Sequence, residues 1–260
     1  MKKILVLMLA LVLAFSLVAC TTETNNDENV DNENVQTPEV PETPDETVNP
    51  DETTEVVFPA EPLTYAEYSA LELDSPVTVE TYVQGKQSWW DNKATVYTQN
   101  EDGAYFLYEM ACSEEDYAKL VPGTKIRVQG FKAEWAGEVE IVDATFTIID
   151  GEYIAPATDV TALLGTDELI LNQNKFVSFD DMTIEKIEYK NGEPGDDIYV
   201  TVSKDGASYS FCVEIYLTGA DTEVYTTVGT LAAGDVVDIE GFLYWYEGVN
   251  THITKVTKAN

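Results

Sequence analysis

GTKIRVQGFKAEWAG at residues 123–137 and GDVVDIEGFLYWYEG at residues 234–248 are the two stretches that decide how this chain folds. Both follow the pattern G-x6-G-F-x5-G. The first is built on Gly123, Gly130, Phe131 and Gly137, the second on Gly234, Gly241, Phe242 and Gly248, 111 residues later. Apolar positions inside the pattern match as well, Ile126 with Val237 and Val128 with Ile239. Upstream, Asp102-Gly103-Ala104 is mirrored by Asp205-Gly206-Ala207 at an offset of 103, so the second copy is longer between these landmarks. Shared turn residues at shared spacing, with shared inward positions, mean that one unit occurs twice.

Each unit reads as strands. Val77, Val79 and Thr81 alternate with polar neighbours, the period of two that marks a half-buried strand, here running to about Trp90. Asp91-Asn92 begins a turn, Ala94–Thr98 is a second strand, and Asp102-Gly103 is a hairpin signal leading into a third strand, Ala104–Met110. Ser113 is placed to cap a helix whose first turn, Glu114-Glu115-Asp116, favours its positive end. That helix ends near Leu120, where Pro122-Gly123 follows. Lys125–Trp135 and Glu138–Phe146 make a hairpin around Ala136-Gly137. The same order recurs from Phe176 to about Val256, with a helix near Glu223–Leu231. Before the first unit, Thr64-Tyr65-Ala66-Glu67 has capping-box spacing and starts another short helix.

Three strands, a helix and a two-strand hairpin is the order of the OB-fold, a five-stranded Greek-key barrel. The expected fold is therefore all-β with short helices: two tandem OB-fold-like barrels after a disordered linker, over residues 58–150 and 151–260. Tyr65-Ala66-Glu67-Tyr68, Val77-Thr78-Val79 with Gly85, and Gly123 through Gly130 resemble tandem OB-fold modules of bacterial surface lipoproteins and secreted proteins. The resemblance spans roughly residues 62–260 and implies no defined activity. The second copy departs from it by lacking the Val-Thr-Val opening and by its longer first loop, Lys190–Asp197.

The N-terminus carries an address. Met1-Lys2-Lys3 precedes a run from Ile4 to Ala19 in which Ser16 is the polar residue, which makes residues 1–19 a secretion signal too short to span a bilayer comfortably. Leu17-Val18-Ala19-Cys20 resembles the lipobox of bacterial lipoproteins. The resemblance implies a diacylglyceryl thioether on Cys20, a membrane partner reached through that lipid, and a place on the extracytoplasmic face of the cell membrane. The alternative is an ordinary cleaved signal with an incidental cysteine. Residues 20–57 then form the lipidated N-terminus and an acidic tether containing Pro38, Pro41, Pro44 and Pro50 and no aromatic residue, a composition that does not fold. As a flexible coil it averages roughly 35 Å end to end. Asp27-Glu28-Asn29-Val30-Asp31 lacks the glycine and terminal glutamate of a calcium loop, and Glu193-Pro194-Gly195-Asp196-Asp197 reads as a solvated loop.

Charge narrows the partners. The formal net charge is −34, with 17 Asp/Glu against 6 Lys/Arg in residues 58–150 and 19 against 6 in residues 151–260. Nucleic-acid affinity rests on a basic footprint, and the chain offers only the small cluster Lys125, Arg127 and Lys132. No catalytic motif is present. The single histidine, His252, cannot build a zinc site or a histidine-based triad, and no cofactor or metal is implied. Cys112 and Cys212 lie in or beside apolar strands, where either a buried free thiol or a bridge fits.

Aromatic placement gives the candidate ligand-binding residues. Trp89 and Trp90 fall at the turn between the first two strands and Trp135 at the last hairpin, with Tyr244, Trp245 and Tyr246 at the corresponding hairpin of the second copy. In OB-folds these loops and the face of strands two and three are the usual ligand contacts. Neighbouring strand residues face opposite sides, so at least one of Trp89 and Trp90 is expected at the surface. Three readings follow: a non-catalytic recognition module for a neutral glycan or a protein partner; a single-stranded nucleic-acid binder; or a structural spacer whose rings pack the two domains together.

Overall fold

The computed structural model describes residues 56–259, all of which belong to one compact unit. The signal segment, Cys20 and the tether as far as residue 55 lie outside the described residues. The described chain is all-β with short helices.

Helix α1 (Tyr65–Ala70) begins with the reciprocal cap that its spacing predicts. The Thr64 hydroxyl accepts from Glu67 N, and the Glu67 carboxylate accepts from Thr64 N. Strands β1 (Pro76–Lys86), β2 (Lys93–Gln99) and β3 (Ala104–Ala111) follow, then helix α2 (Glu114–Lys119), capped by Ser113, and strands β4 (Thr124–Trp135) and β5 (Glu138–Glu152). They close into a barrel in the order β1-β2-β3-β5-β4. Strand β6 (Thr158–Asp159) lies parallel to the edge of β7 (Phe176–Tyr189). Strands β8 (Ile198–Lys204) and β9 (Ala207–Val213), helices α3 (Ile215–Thr218) and α4 (Glu223–Val228), and strands β10 (Val236–Phe242) and β11 (His252–Lys258) complete the second unit. Its order, β7-β8-β9-β11-β10 with a further β10–β7 pairing, repeats the first.

The repeated glycines have repeated jobs. Gly123 and Gly234 enter β4 and β10 at φ +95 and +92, a left-handed conformation that glycine adopts without penalty. Gly130 and Gly241 sit where the barrel walls bulge, between Gln129 and Phe131 and between Glu240 and Gly241. A Cβ on Gly130 would stand 2.8 Å from Val142 O, and one on Gly241 would stand 2.3 Å from His252 O. Only glycine lets the neighbouring strand approach that closely.

Each barrel has its own core. Val77, Val79, Val96, Leu107, Ile126, Val128 and Ile141 fill the first; Val177, Phe179, Phe211, Val237, Ile239 and Ile253 fill the second. The matched positions of the repeat are thus matched core positions, each such side chain contributing roughly 1.5–3 kcal/mol on burial. Strand β1 stops at Lys86, short of Trp90: Ser88 N donates instead to Tyr216 O, and Trp90 returns to β2 as an isolated bridge to Lys93, across the turn at Asp91 and Asn92. Strand β5 runs on to Glu152, beyond the expected end at Phe146, and α3 is an element that periodicity did not announce. Cys112 and Cys212 are buried free thiols.

A third cluster joins the barrels. Tyr97 of β2 and Phe106 of β3 point outward from the first barrel and meet Phe242, with Phe176, Leu217 and Tyr244 packed around them. Tyr97 stacks on Phe242 with ring centroids 4.3 Å apart, and its hydroxyl lies 2.5 Å from His252 Nδ1. Backbone groups cross the same seam: Ser88 N donates to Tyr216 O (2.7 Å) and Glu247 N to Ala136 O (2.8 Å). Phe176 N donates to Gln99 Oε1 at 2.8 Å.

Candidate functional site

The seam decides which ligand surfaces remain. The outer face of β2 and β3, the usual OB ligand platform, is covered in the first barrel by Phe242 and its neighbours. Its rim stays open. There Trp90, 63% exposed, and half-exposed Tyr108 line a cleft of about 480 Å³ together with Tyr216, 62% exposed, from α3 of the second barrel. Trp89 is held differently. It is half-buried, its Nε1 donating to Cys112 O at 2.9 Å, so the adjacent tryptophans divide into one surface ring and one structural ring. Lys93 also lines the cleft, and its Nζ is 2.6 Å from Glu109 Oε2.

In the second barrel the equivalent face is open. Tyr199, Ser208 and Ser210 are exposed on it, opposite core residues Val200, Val202 and Phe211. A second cleft of about 460 Å³ lies there, bordered by Trp135, Tyr199, Tyr244 and Tyr246. Trp135 is 56% exposed and packs on Tyr246 with centroids 5.2 Å apart, so the hairpin tips of the two barrels meet. Tyr244 is half-buried and stacks on His252 at 4.3 Å. Trp245 is drawn into the second core, against Gly137 of the first barrel. Of the six aromatic candidates, the structure places Trp90 at the first cleft and Trp135, Tyr244 and Tyr246 at the second. Trp89 also lines the first cleft, with its indole N–H tied to the backbone, and Trp245 lies at the seam. Tyr108, Tyr199 and Tyr216 escaped the sequence reading. Tyr108 ends the non-alternating run Ala104-Tyr105-Phe106-Leu107-Tyr108, but nothing in that run separates a ring at a cleft from one under a neighbouring barrel.

Carboxyl groups gather along the seam. Glu138 is fully buried; its Oε2 accepts from Trp245 N (2.8 Å) and Gln173 Nε2 (3.2 Å). Burial, partly offset by these donors, pushes its pKa up to about 8. Glu140, two residues on, and Glu214, which caps α3, are both raised to about 7, chiefly by burial. His252 is held neutral, its pKa lowered to about 4 by burial.

The basic cluster does not survive as a cluster. Lys125 Nζ is 2.8 Å from Glu80, and Arg127 reaches the same carboxylate at 3.8 Å. Lys132 is buried and donates to Tyr68 O, Ser69 O and Leu71 O at 3.2, 2.9 and 2.7 Å. It neutralises the carbonyl end of α1. In the acidic turn, Asp197 accepts from Lys190 Nζ and Ile215 N, both at 2.9 Å. Among the described residues no group of three or more His, Cys, Asp or Glu is arranged to hold a metal.

The topology defines the class: an all-β chain carrying two OB-fold barrels. No protein-family model and no curated protein gives a significant match. Among solved structures, a murine DNA-binding protein bound to double-stranded DNA is similar at 10% identity and a TM-score of 0.36, over 70% of this chain and 96% of that one. The Ifi202 HINa domain in complex with 20-bp double-stranded DNA is similar at 12% identity and a TM-score of 0.33, over 72% and 98%. A deletion mutant of the single-stranded DNA-binding protein from Thermus aquaticus is similar at 12% identity and a TM-score of 0.24, over 71% and 94%. The DNA belongs to those proteins, and likeness at this level does not transfer it.

Proposed function

We propose that this chain is a non-catalytic recognition protein, held at the extracytoplasmic face of the cell membrane by a lipid on Cys20, whose Trp90 cleft binds a neutral glycan. One observation carries the ligand class: an exposed tryptophan and two tyrosines surround a cleft whose lysine is already paired with Glu109. Flat apolar rings with a few polar groups suit the faces of sugar rings. A phosphate-bearing chain would find no free cation in that lining. The second reading is a single-stranded nucleic acid, because aromatic platforms also stack bases. Charge ranks it second: Lys125, Arg127 and Lys132, the cations it needs, are engaged by Glu80 and by the carbonyls of α1.

Calorimetric titration of the full chain in non-ionic detergent, with neutral oligosaccharides and with oligo-dT at several salt concentrations, separates the two. The glycan reading expects sugar binding that changes less than about twofold with salt and falls at least tenfold in Trp90→Ala. DNA binding whose affinity collapses with salt replaces it with the second reading. Silence toward both ligand classes overturns both.

A further inference from the structure

We propose that the second cleft, between Trp135 and the open face of the second barrel, binds an organic ammonium group. The site is independent of the Trp90 cleft and of the reading attached to it.

Four aromatic rings border this cleft, Trp135, Tyr199, Tyr244 and Tyr246, with the carboxyl groups of Asp197 and Glu214 beside them. No lysine or arginine lines it. The nearby Lys190 ammonium is held by Asp197 at 2.9 Å and Asp196 at 3.5 Å. His252, at the floor, is buried and turns its Nδ1 to the Tyr97 hydroxyl. The cleft therefore combines aromatic rings with a modest net negative charge: the Asp196–Asp197–Lys190 group carries one carboxylate in excess, and Glu214, raised to about 7, is part-ionised at neutral pH. An alkylated ammonium suits such a place. It is attracted to the faces of electron-rich rings, best of all tryptophan, and gains from a nearby carboxylate without needing to hydrogen-bond it. A neutral sugar gains nothing from the acids, and an anion is repelled by them.

The duplication explains why the site exists in one copy only. In the first barrel the equivalent face is filled by Phe242, Phe176 and Leu217. In the second it is left to solvent, and the hairpin of the first barrel brings Trp135 to its edge. Each barrel thus contributes to the cleft, and neither holds it alone.

Two sources carry this chemistry, a quaternary ammonium such as choline and the protonated amine of an amino sugar. The test titrates the full chain, in non-ionic detergent at fixed sodium chloride, with choline, its neutral isostere 3,3-dimethylbutanol, glucosamine and glucose. At least tenfold tighter binding of choline than of dimethylbutanol, or of glucosamine than of glucose, is expected, and the stronger pair identifies the source. Trp135→Ala should reduce that binding at least tenfold and Trp135→Phe by less, all measured in a Trp90→Ala background so that the first cleft adds no sugar binding. Both tryptophans are surface residues, so circular dichroism should show both variants folded. Equal binding of each charged and neutral pair, or no binding, overturns the proposal. So does a cation affinity unaltered in Trp135→Ala, which would mark diffuse attraction to an acidic protein.

Discussion

Replacing Glu138 by glutamine should make the protein more stable in alkali while leaving it unchanged in mild acid. Glu138 is buried at the seam, and its Oε1 has no hydrogen-bond partner. Burial therefore penalises the charged carboxylate more than the donors Trp245 N and Gln173 Nε2 stabilise it. Its pKa rises on folding from 4.5 to about 8. Between those values the native state holds a proton that the unfolded chain has released, so stability falls as pH rises through the window. At about 1.4 kcal/mol per unit, the loss totals roughly 3–5 kcal/mol by pH 9. Glu138→Gln buries no charge at any pH, and the amide oxygen still accepts from Trp245 N. Urea unfolding at pH 5, 7 and 9 measures this directly. The two proteins should match at pH 5, and the variant should lead by about 3–5 kcal/mol at pH 9. Parallel pH profiles would refute the assignment of a buried proton to Glu138.

Three further outcomes are expected. Gly241→Ala places a methyl group 2.3 Å from His252 O and should cost at least about 2 kcal/mol, read from urea midpoints; a loss below about 0.5 kcal/mol would mean that the bulge yields. The ring of His252, lowered to about 4, should show no NMR titration between pH 8 and 5.5. Its burial supplies about 3 kcal/mol that is present above pH 6.5 and lost as pH falls toward 4, and a midpoint near 6.5 contradicts this. Burial raises the thiol of Cys112 to about 11 and raises that of Cys212 further. Neither should react with a disulfide reagent at pH 8 until denaturant is added. Two thiols should then appear if Cys20 carries a thioether, whereas three would refute lipidation.

What the sequence discloses here is what turns and cores require. The glycine pattern, the Ser113 and Thr64 caps and the Asp102-Gly103 hairpin are local demands of backbone geometry, and each element they announce is present. The aromatic placement is legible in part. At least one of Trp89 and Trp90 was expected at the surface, and Trp90 is, although β1 ends before both and the strand alternation behind that expectation does not apply. What could not be read is the seam. Tyr97, Phe106 and Phe242 occupy outward positions of their strands, and an outward ring looks the same whether solvent or another barrel lies over it. Burial of β2 at every position from Ala94 to Gln99 is a tertiary outcome, as is the recruitment of Tyr216 to the Trp90 cleft. Lys132 misled for the same reason: its role depends on α1 folding back over β4.

The ring cluster between the barrels also has a history within the life of each molecule. On the proposed export route the chain emerges N-terminus first, so the last strand of the first barrel is out while roughly 100 residues, His252 among them, have yet to appear. Until they do, Tyr97 and Phe106 have no cover. During that interval a sibling's Phe242 fits as well as the chain's own. Crowded synthesis should therefore favour exchanged, two-chain forms, and whatever shields that half-finished surface governs how much correct monomer emerges.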